Sequence, residues 1–157
     1  MTSPIQKFTR KESLCSIKFI YKGRKFIRYC ILPRNMNQEA IKEYFASSLY
    51  LPKNVVEILK VEDVYIVIEK INEDQEYIEG FIDEHWIDVV EYLVEIKQRE
   101  SILNFNIIAG MNTNEKVIEN IFRSYYPRNK VLVDSFKDGW LMRSKNYGGK
   151  NETITQK

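Results

Sequence analysis

The chain has 157 residues, of which 44% are hydrophobic and 29% charged, with a formal net charge of +2. This length and composition suit one globular domain with its own core and exclude a disordered or collagen-like chain. No apolar run approaches the roughly 20 residues of a membrane span, the opening MTSPIQKFTRKES lacks the apolar centre of a secretory signal, and two cysteines make no disulfide framework, so a soluble cytoplasmic protein with free thiols and no membrane contact is expected.

Residues 1–12 are polar and basic and read as a flexible arm. Two β-rich runs follow, Leu14–Tyr21 and Lys25–Leu32, around a short connection containing Gly23, which predicts a β-hairpin. With the two-residue loop Lys22-Gly23, Cys15 faces Cys30; with a three-residue loop Cys15 faces Ile31 and the pair is lost. Alternation places Ile17, Phe19 and Tyr21 on one face of the first strand and Lys18 on the other.

Asn37 can cap a helix carrying Ile41, Tyr44, Phe45 and Leu49 at helical spacing, and Pro52 ends it. Two strand-like runs come next, Val55–Val61 and Val64–Ile71, parted by Glu62-Asp63. From Ile78 to about Lys97 the apolar residues Phe81, Ile82, Trp86, Val89, Val90, Leu93 and Ile96 keep a helical period, weakened at Gly80. Ile102–Ile108 reads as a strand, Asn114 caps a short helix with Val117, Ile118, Ile121 and Phe122, Val131–Val133 reads as a strand, and Trp140–Met142 packs on the body. No internal repeat is visible. The expected organisation is a basic arm over 1–12, one α+β domain over 13–142 and a disordered tail over 143–157. Up to residue 108 the order is β-β-α-β-β-α-β, a mixed sheet with helices on one face, as in a β-grasp.

The small net charge conceals three blocks. Residues 1–34 carry nine basic residues against the single acid Glu12, residues 35–120 carry seven basic against eighteen acidic, and residues 121–157 carry eight basic against three acidic. A domain built this way steers partners through complementary fields.

The stretch CSIKFIYKGRKFIRYCILPRNMNQEAIKEYFASSLYLP resembles the opening of the ubiquitin-like Phox-and-Bem-type interaction domain, and the likeness runs over about residues 14–108. The resemblance implies a β-grasp fold and front-to-back association, a basic face centred on a first-strand lysine meeting an acidic face on the next molecule. Lys18 stands where that lysine would be, and Arg24, Lys25 and Arg28 extend the basic face. Glu62, Asp63, Glu73, Asp74 and Glu76 form the acidic side, although they are scattered and lack the glycine of the family's compact acidic turn. The expected function is non-catalytic protein–protein interaction through opposed charged faces, with another protein or further copies of the chain as partner and no cofactor or metal.

Two alternatives stand beside it. The basic hairpin, with Phe19, Phe26 and Tyr29 interleaved among its cations, suits nucleic acid. Glu95-Ile96-Lys97, with Asp83 and Asp88 upstream, resembles the metal-binding triplet of Mg²⁺-dependent nucleases of the PD-(D/E)xK type, which requires Glu95 and Lys97 on one face of a strand. YIEGFID (77–83) is similar to the helix motif of LAGLIDADG homing endonucleases, with Asp83 as the metal ligand. The lone histidine, His85, is read as a surface residue.

Overall fold

The computed structural model describes residues 8–72 and 82–143. Strand β1 (Thr9–Tyr21) turns back into β2 (Arg24–Leu32) through Lys22 and Gly23, with φ of 51° and 77°. Two left-handed residues make the type I′ turn whose twist matches the flanking strands. The hairpin pairs from Ser13↔Leu32 to Tyr21↔Arg24, so Cys15 does stand opposite Cys30. Helix α1 (Gln38–Ser48) is capped by Asn37, whose side chain accepts from the Ala40 N–H at 2.8 Å. Strand β3 (Val56–Val67) is followed by a single 3-10 turn. Strands β4 (Trp86–Lys97) and β5 (Ile102–Gly110) form a second hairpin. Helix α2 (Glu115–Tyr125) is capped by Asn114, which accepts from the Val117 N–H at 3.0 Å, and β6 (Lys130–Met142) closes the order. Antiparallel hairpins and parallel pairs coexist, so the architecture is α+β with mixed strand pairing.

Three expectations change. Thr9–Glu12 belong to β1 rather than to a loose arm. Glu62-Asp63 do not divide a strand, because β3 runs through them. From Trp86 to Lys97 the expected helix is instead the strand β4, Ile82–Glu84 form a 3-10 turn, and the start of the expected helix at 78–81 lies outside the described residues. In β4, Tyr92, Val94 and Ile96 are buried on one face, and Ile87, Val89 and Glu91 are buried on the other. The buried face changes sides between Glu91 and Tyr92, with Asp88, Leu93 and Lys97 exposed, so the apolar residues lose the strict alternation of a strand and a helical period also fits. The β-branched residues Ile87, Val89, Val90, Val94 and Ile96 tip the balance to the extended form.

The described chain forms two compact units. One holds Ser13–Glu62, with residues up to Ile87 and from Gly139 onwards. In it β6 lies parallel to β2 through Cys30↔Trp140 and Ile31↔Leu141. Its core joins Ile17, Phe19, Ile41, Phe45 and Trp86. The other unit holds residues to Glu12, Asp63–Asn72 and Asp88–Asp138. There β3 lies parallel to β5 through Tyr65↔Ile107 and Ile66↔Ile108, and the core joins Val94, Ile96, Ile107, Ile118 and Phe122.

These pairings expose a repeat that was not visible in the sequence. The order β-β-α-β is run twice, as β1-β2-α1-β3 and β4-β5-α2-β6. Cys30 meets Cys15 and Trp140, while Ile107 meets Tyr92 and Tyr65. Cys30 therefore corresponds to Ile107, Cys15 to Tyr92, and Trp140 to Tyr65. The same correspondence aligns Asn37 with Asn114, Ile41 with Ile118 and Phe45 with Phe122; both asparagines cap their helices and all four apolar residues are buried. Each unit combines the hairpin and helix of one repeat with the last residues of the other repeat's third strand.

Candidate functional site

The hairpin β1–β2 carries the predicted basic residues, and its register decides how they are displayed. Lys18 pairs with Ile27 and Ile20 with Lys25, so these four side chains share one face. Ile20 and Ile27 are exposed by 42% and 46%, which makes this face a small apolar strip crossed by two ammonium groups. Arg28 pairs with Ile17 and Arg24 with Tyr21, so both arginines belong to the opposite face, the one that carries Phe19 and Phe26. Lys18 and Arg28 therefore do not project from one common face of the hairpin, which corrects the expectation of a single basic surface.

Arg28 is half-buried. Its guanidinium lies 5.4 Å from the Phe26 ring and 5.5 Å from the Trp140 ring, and one N–H donates to the Ile27 carbonyl at 3.1 Å. The aromatic set continues inward, with Phe19 against Phe45 at 5.0 Å and Trp86 against Trp140 at 5.9 Å. Trp86 is fixed by its indole N–H, which donates to the Ser48 hydroxyl at 3.0 Å, while that hydroxyl donates to the Phe45 carbonyl at 2.8 Å. A groove of about 220 Å³ opens beside Arg28, between Phe26, Leu49 and Trp140. Among the described residues, the recorded ion pairs involve none of Lys18, Arg24, Lys25 and Arg28.

The described acids are differently placed. Glu62 lies 3.6 Å from the Lys60 ammonium, and Asp63 lies 3.4 Å from that of Lys11. Glu73, Asp74 and Glu76 lie outside the described residues. Lys11 and Arg10, which belong to the basic block in sequence, are drawn into local pairs, Arg10 with Glu12 at 2.6 Å.

The nuclease residues do not converge. Glu95 and Lys97 share one face of β4, as that chemistry requires, with Ile96 buried on the other. Asp88 is seven residues from Glu95 on the same strand, about 23 Å along it and on the opposite face. Asp83 sits in a 3-10 turn, where its carbonyl accepts from Arg143 Nε at 2.6 Å. Ile82 and Asp83 are the described part of YIEGFID, and that turn is not the α-helix of the homing-endonuclease motif. Among the described residues no three His, Cys, Asp or Glu side chains gather as they would around a metal ion. His85 is half-buried rather than on the surface. Its Nδ1 is 3.4 Å from the Tyr44 hydroxyl and its Nε2 is 3.6 Å from Glu84.

The sequence reading missed the stacking of Arg28 on Trp140, because the two residues are brought together by the parallel β2–β6 pairing across more than a hundred residues. It also missed Ile20 and Ile27 as surface residues. Strict alternation from the buried Ile17 and Phe19 was the signal that could have placed them. No described helix is long and apolar enough to cross a membrane. Comparison of the chain with protein-family models, with curated proteins and with solved structures gives no match.

Proposed function

We propose that this protein is a non-catalytic interaction module that engages an acidic partner protein through the β1–β2 hairpin. One observation carries the reading. Lys18, Arg24, Lys25 and Arg28 stand on a single hairpin outside the recorded ion pairs, whereas the described acids Glu62 and Asp63 already have cations beside them. Uncompensated charge on a surface raises the rate of encounter with oppositely charged partners. The apolar Ile20 and Ile27 beside the lysines supply area that a purely solvating charged face would not offer. The ubiquitin-like, β-grasp resemblance supports the reading through β1, β2 and α1, where the expected hairpin and helix are present. Front-to-back self-association, in which the hairpin of the next copy displaces Lys60 and Lys11 from Glu62 and Asp63 and also meets Glu73, Asp74 and Glu76, and a cytoplasmic setting for the two buried thiols belong to the same proposal.

The test is binding of a fluorescein-labelled octaglutamate peptide and of a labelled twelve-base-pair DNA duplex to the full chain, each at 50 and 300 mM salt. Light scattering under the same conditions reports self-association. Binding of the acidic peptide that weakens with salt and falls about tenfold or more in Lys18→Glu/Arg24→Glu/Lys25→Glu is the expected result. Preferential binding of the duplex, or peptide binding untouched by the triple reversal, overturns the proposal.

A further inference from the structure

The repeat gives an internal standard against which Arg28 stands out. At the corresponding position the second repeat carries Phe105, which packs on Tyr65 at 5.8 Å and on Phe122 at 5.8 Å. Tyr65 is the counterpart of Trp140, so Phe105 on Tyr65 and Arg28 on Trp140 are the same contact made by different chemistry. In one unit the position completes an apolar cluster. In the other, a charged side chain takes the place of the phenyl ring, and a groove lies open beside it.

An arginine on the core-facing side of a hairpin is costly to desolvate unless its charge is used. The guanidinium lies over the Phe26 and Trp140 rings within cation–π range, which holds the charge beside them. One of its five N–H groups is spent on the Ile27 carbonyl, and no described carboxylate is recorded in an ion pair with it. A held, planar donor fork suits a carboxylate, which takes two parallel N–H bonds. The guanidinium over both rings leaves a base no bare aromatic surface on that side, and base stacking needs one. The apolar walls formed by Phe19, Phe26 and Leu49 suit a hydrophobic side chain next to that carboxylate.

The geometry points to a peptide-binding groove at Arg28, whose ligand is an acidic segment of a partner protein with a large apolar residue close to an Asp or Glu. The carboxylate pairs with Arg28, and the apolar residue enters the space between Phe26, Leu49 and Trp140. This inference rests on the proposed interaction function and adds to the lysine face of the hairpin a second contact on its arginine face.

The experiment selects twelve-residue peptides from a phage-displayed random library against the full chain. The tightest selected peptide and a labelled oligo(dT) of twelve nucleotides are then titrated by fluorescence anisotropy. Three proteins are compared: wild type, Arg28→Phe, and Lys18→Glu/Lys25→Glu on the opposite face. Arg28→Phe installs the residue that the second repeat already accommodates, and it is expected to fold, with an unfolding temperature at or above wild type. The expected result is a selected motif pairing Asp or Glu with Phe, Trp or Leu, weakened about tenfold or more by Arg28→Phe and less than threefold by the lysine reversals. Loss of binding only in the lysine variant overturns the groove while leaving the hairpin function standing. Binding indifferent to both variants overturns both. Oligo(dT) that competes with the peptide and depends on Arg28 replaces the peptide groove by a nucleic-acid site. If Arg28→Phe fails to fold, Arg28→Gln carries the same comparison.

Discussion

Cys15 stands directly opposite Cys30 across the β1–β2 hairpin, and both are fully buried. Burial pushes the Cys15 thiol from an ordinary value of 9.0 up to about 12, and pushes the Cys30 thiol well up, with the neighbouring Cys15 adding to the shift. Thiolate, the reactive form, is scarce in both at neutral pH. Neither cysteine should be alkylated by iodoacetamide in the native protein at pH 8, and both should react in denaturant, as read by mass spectrometry. Rapid native labelling would show that the hairpin opens.

The same shifts set the alkaline limit of stability. Burial also raises the Tyr92 and Tyr126 hydroxyls. Above pH 9 the unfolded chain releases protons that the native chain retains, so stability falls as pH rises from about 9 towards 12. The expected outcome is a urea midpoint that declines through this window, with a shallower decline in Cys30→Ala.

Removing the Ser48 hydroxyl leaves the buried Trp86 indole N–H without its acceptor. Ser48→Ala should lower stability by about 1–3 kcal/mol, the usual range for an orphaned buried donor. Urea unfolding should show a lower midpoint with an unchanged slope, because the surface exposed on unfolding is the same.

Glu91 is 2% exposed, accepts from Asn106 Nδ2 at 2.9 Å and lies 3.5 Å from the Lys137 ammonium. A buried carboxylate deprived of a cation is costly. Lys137→Met should therefore cost more than Glu91→Gln, which keeps an acceptor for Asn106 and removes the charge. The double variant should recover part of the Lys137→Met loss, giving a coupling energy of about 0.5–3 kcal/mol in a double-mutant cycle.

Asn37 and Asn114 cap their helices in the same way, each accepting from a backbone N–H three residues on. Replacing either by Ala should cost about 1 kcal/mol in chemical denaturation.

Signals carried by a few neighbouring residues were legible in the sequence. Lys22-Gly23 set the turn, Asn37 and Asn114 set the helix starts, and the runs of β1, β2 and β5 alternated or clustered as strands do. β4 was not legible as a strand, because its buried face changes sides between Glu91 and Tyr92 and breaks the alternation that marks a strand. The repeat was hidden because burial preserves the role of a position rather than its letter. Cys15 answers to Tyr92 and Trp140 to Tyr65, and identity survives only in scattered pairs, among them Ile31/Ile108, Asn35/Asn112, Asn37/Asn114, Ile41/Ile118, Phe45/Phe122 and Ser47/Ser124. The basic residues of the candidate site were legible as charges. Their division between two faces follows from the cross-strand register, which the two-residue turn fixes.

The chain passes from one unit to the other within β1, β3, β4 and β6. The first repeat alone lacks the end of β6 that lines β2, and the second alone lacks the end of β3 that lines β5. Splitting the gene between the repeats should accordingly yield two fragments that are each unstructured by circular dichroism and regain the native spectrum when mixed. Such a chain behaves as an obligate heterodimer fused into one polypeptide, and tags or reporters divided at that junction would report reassembly.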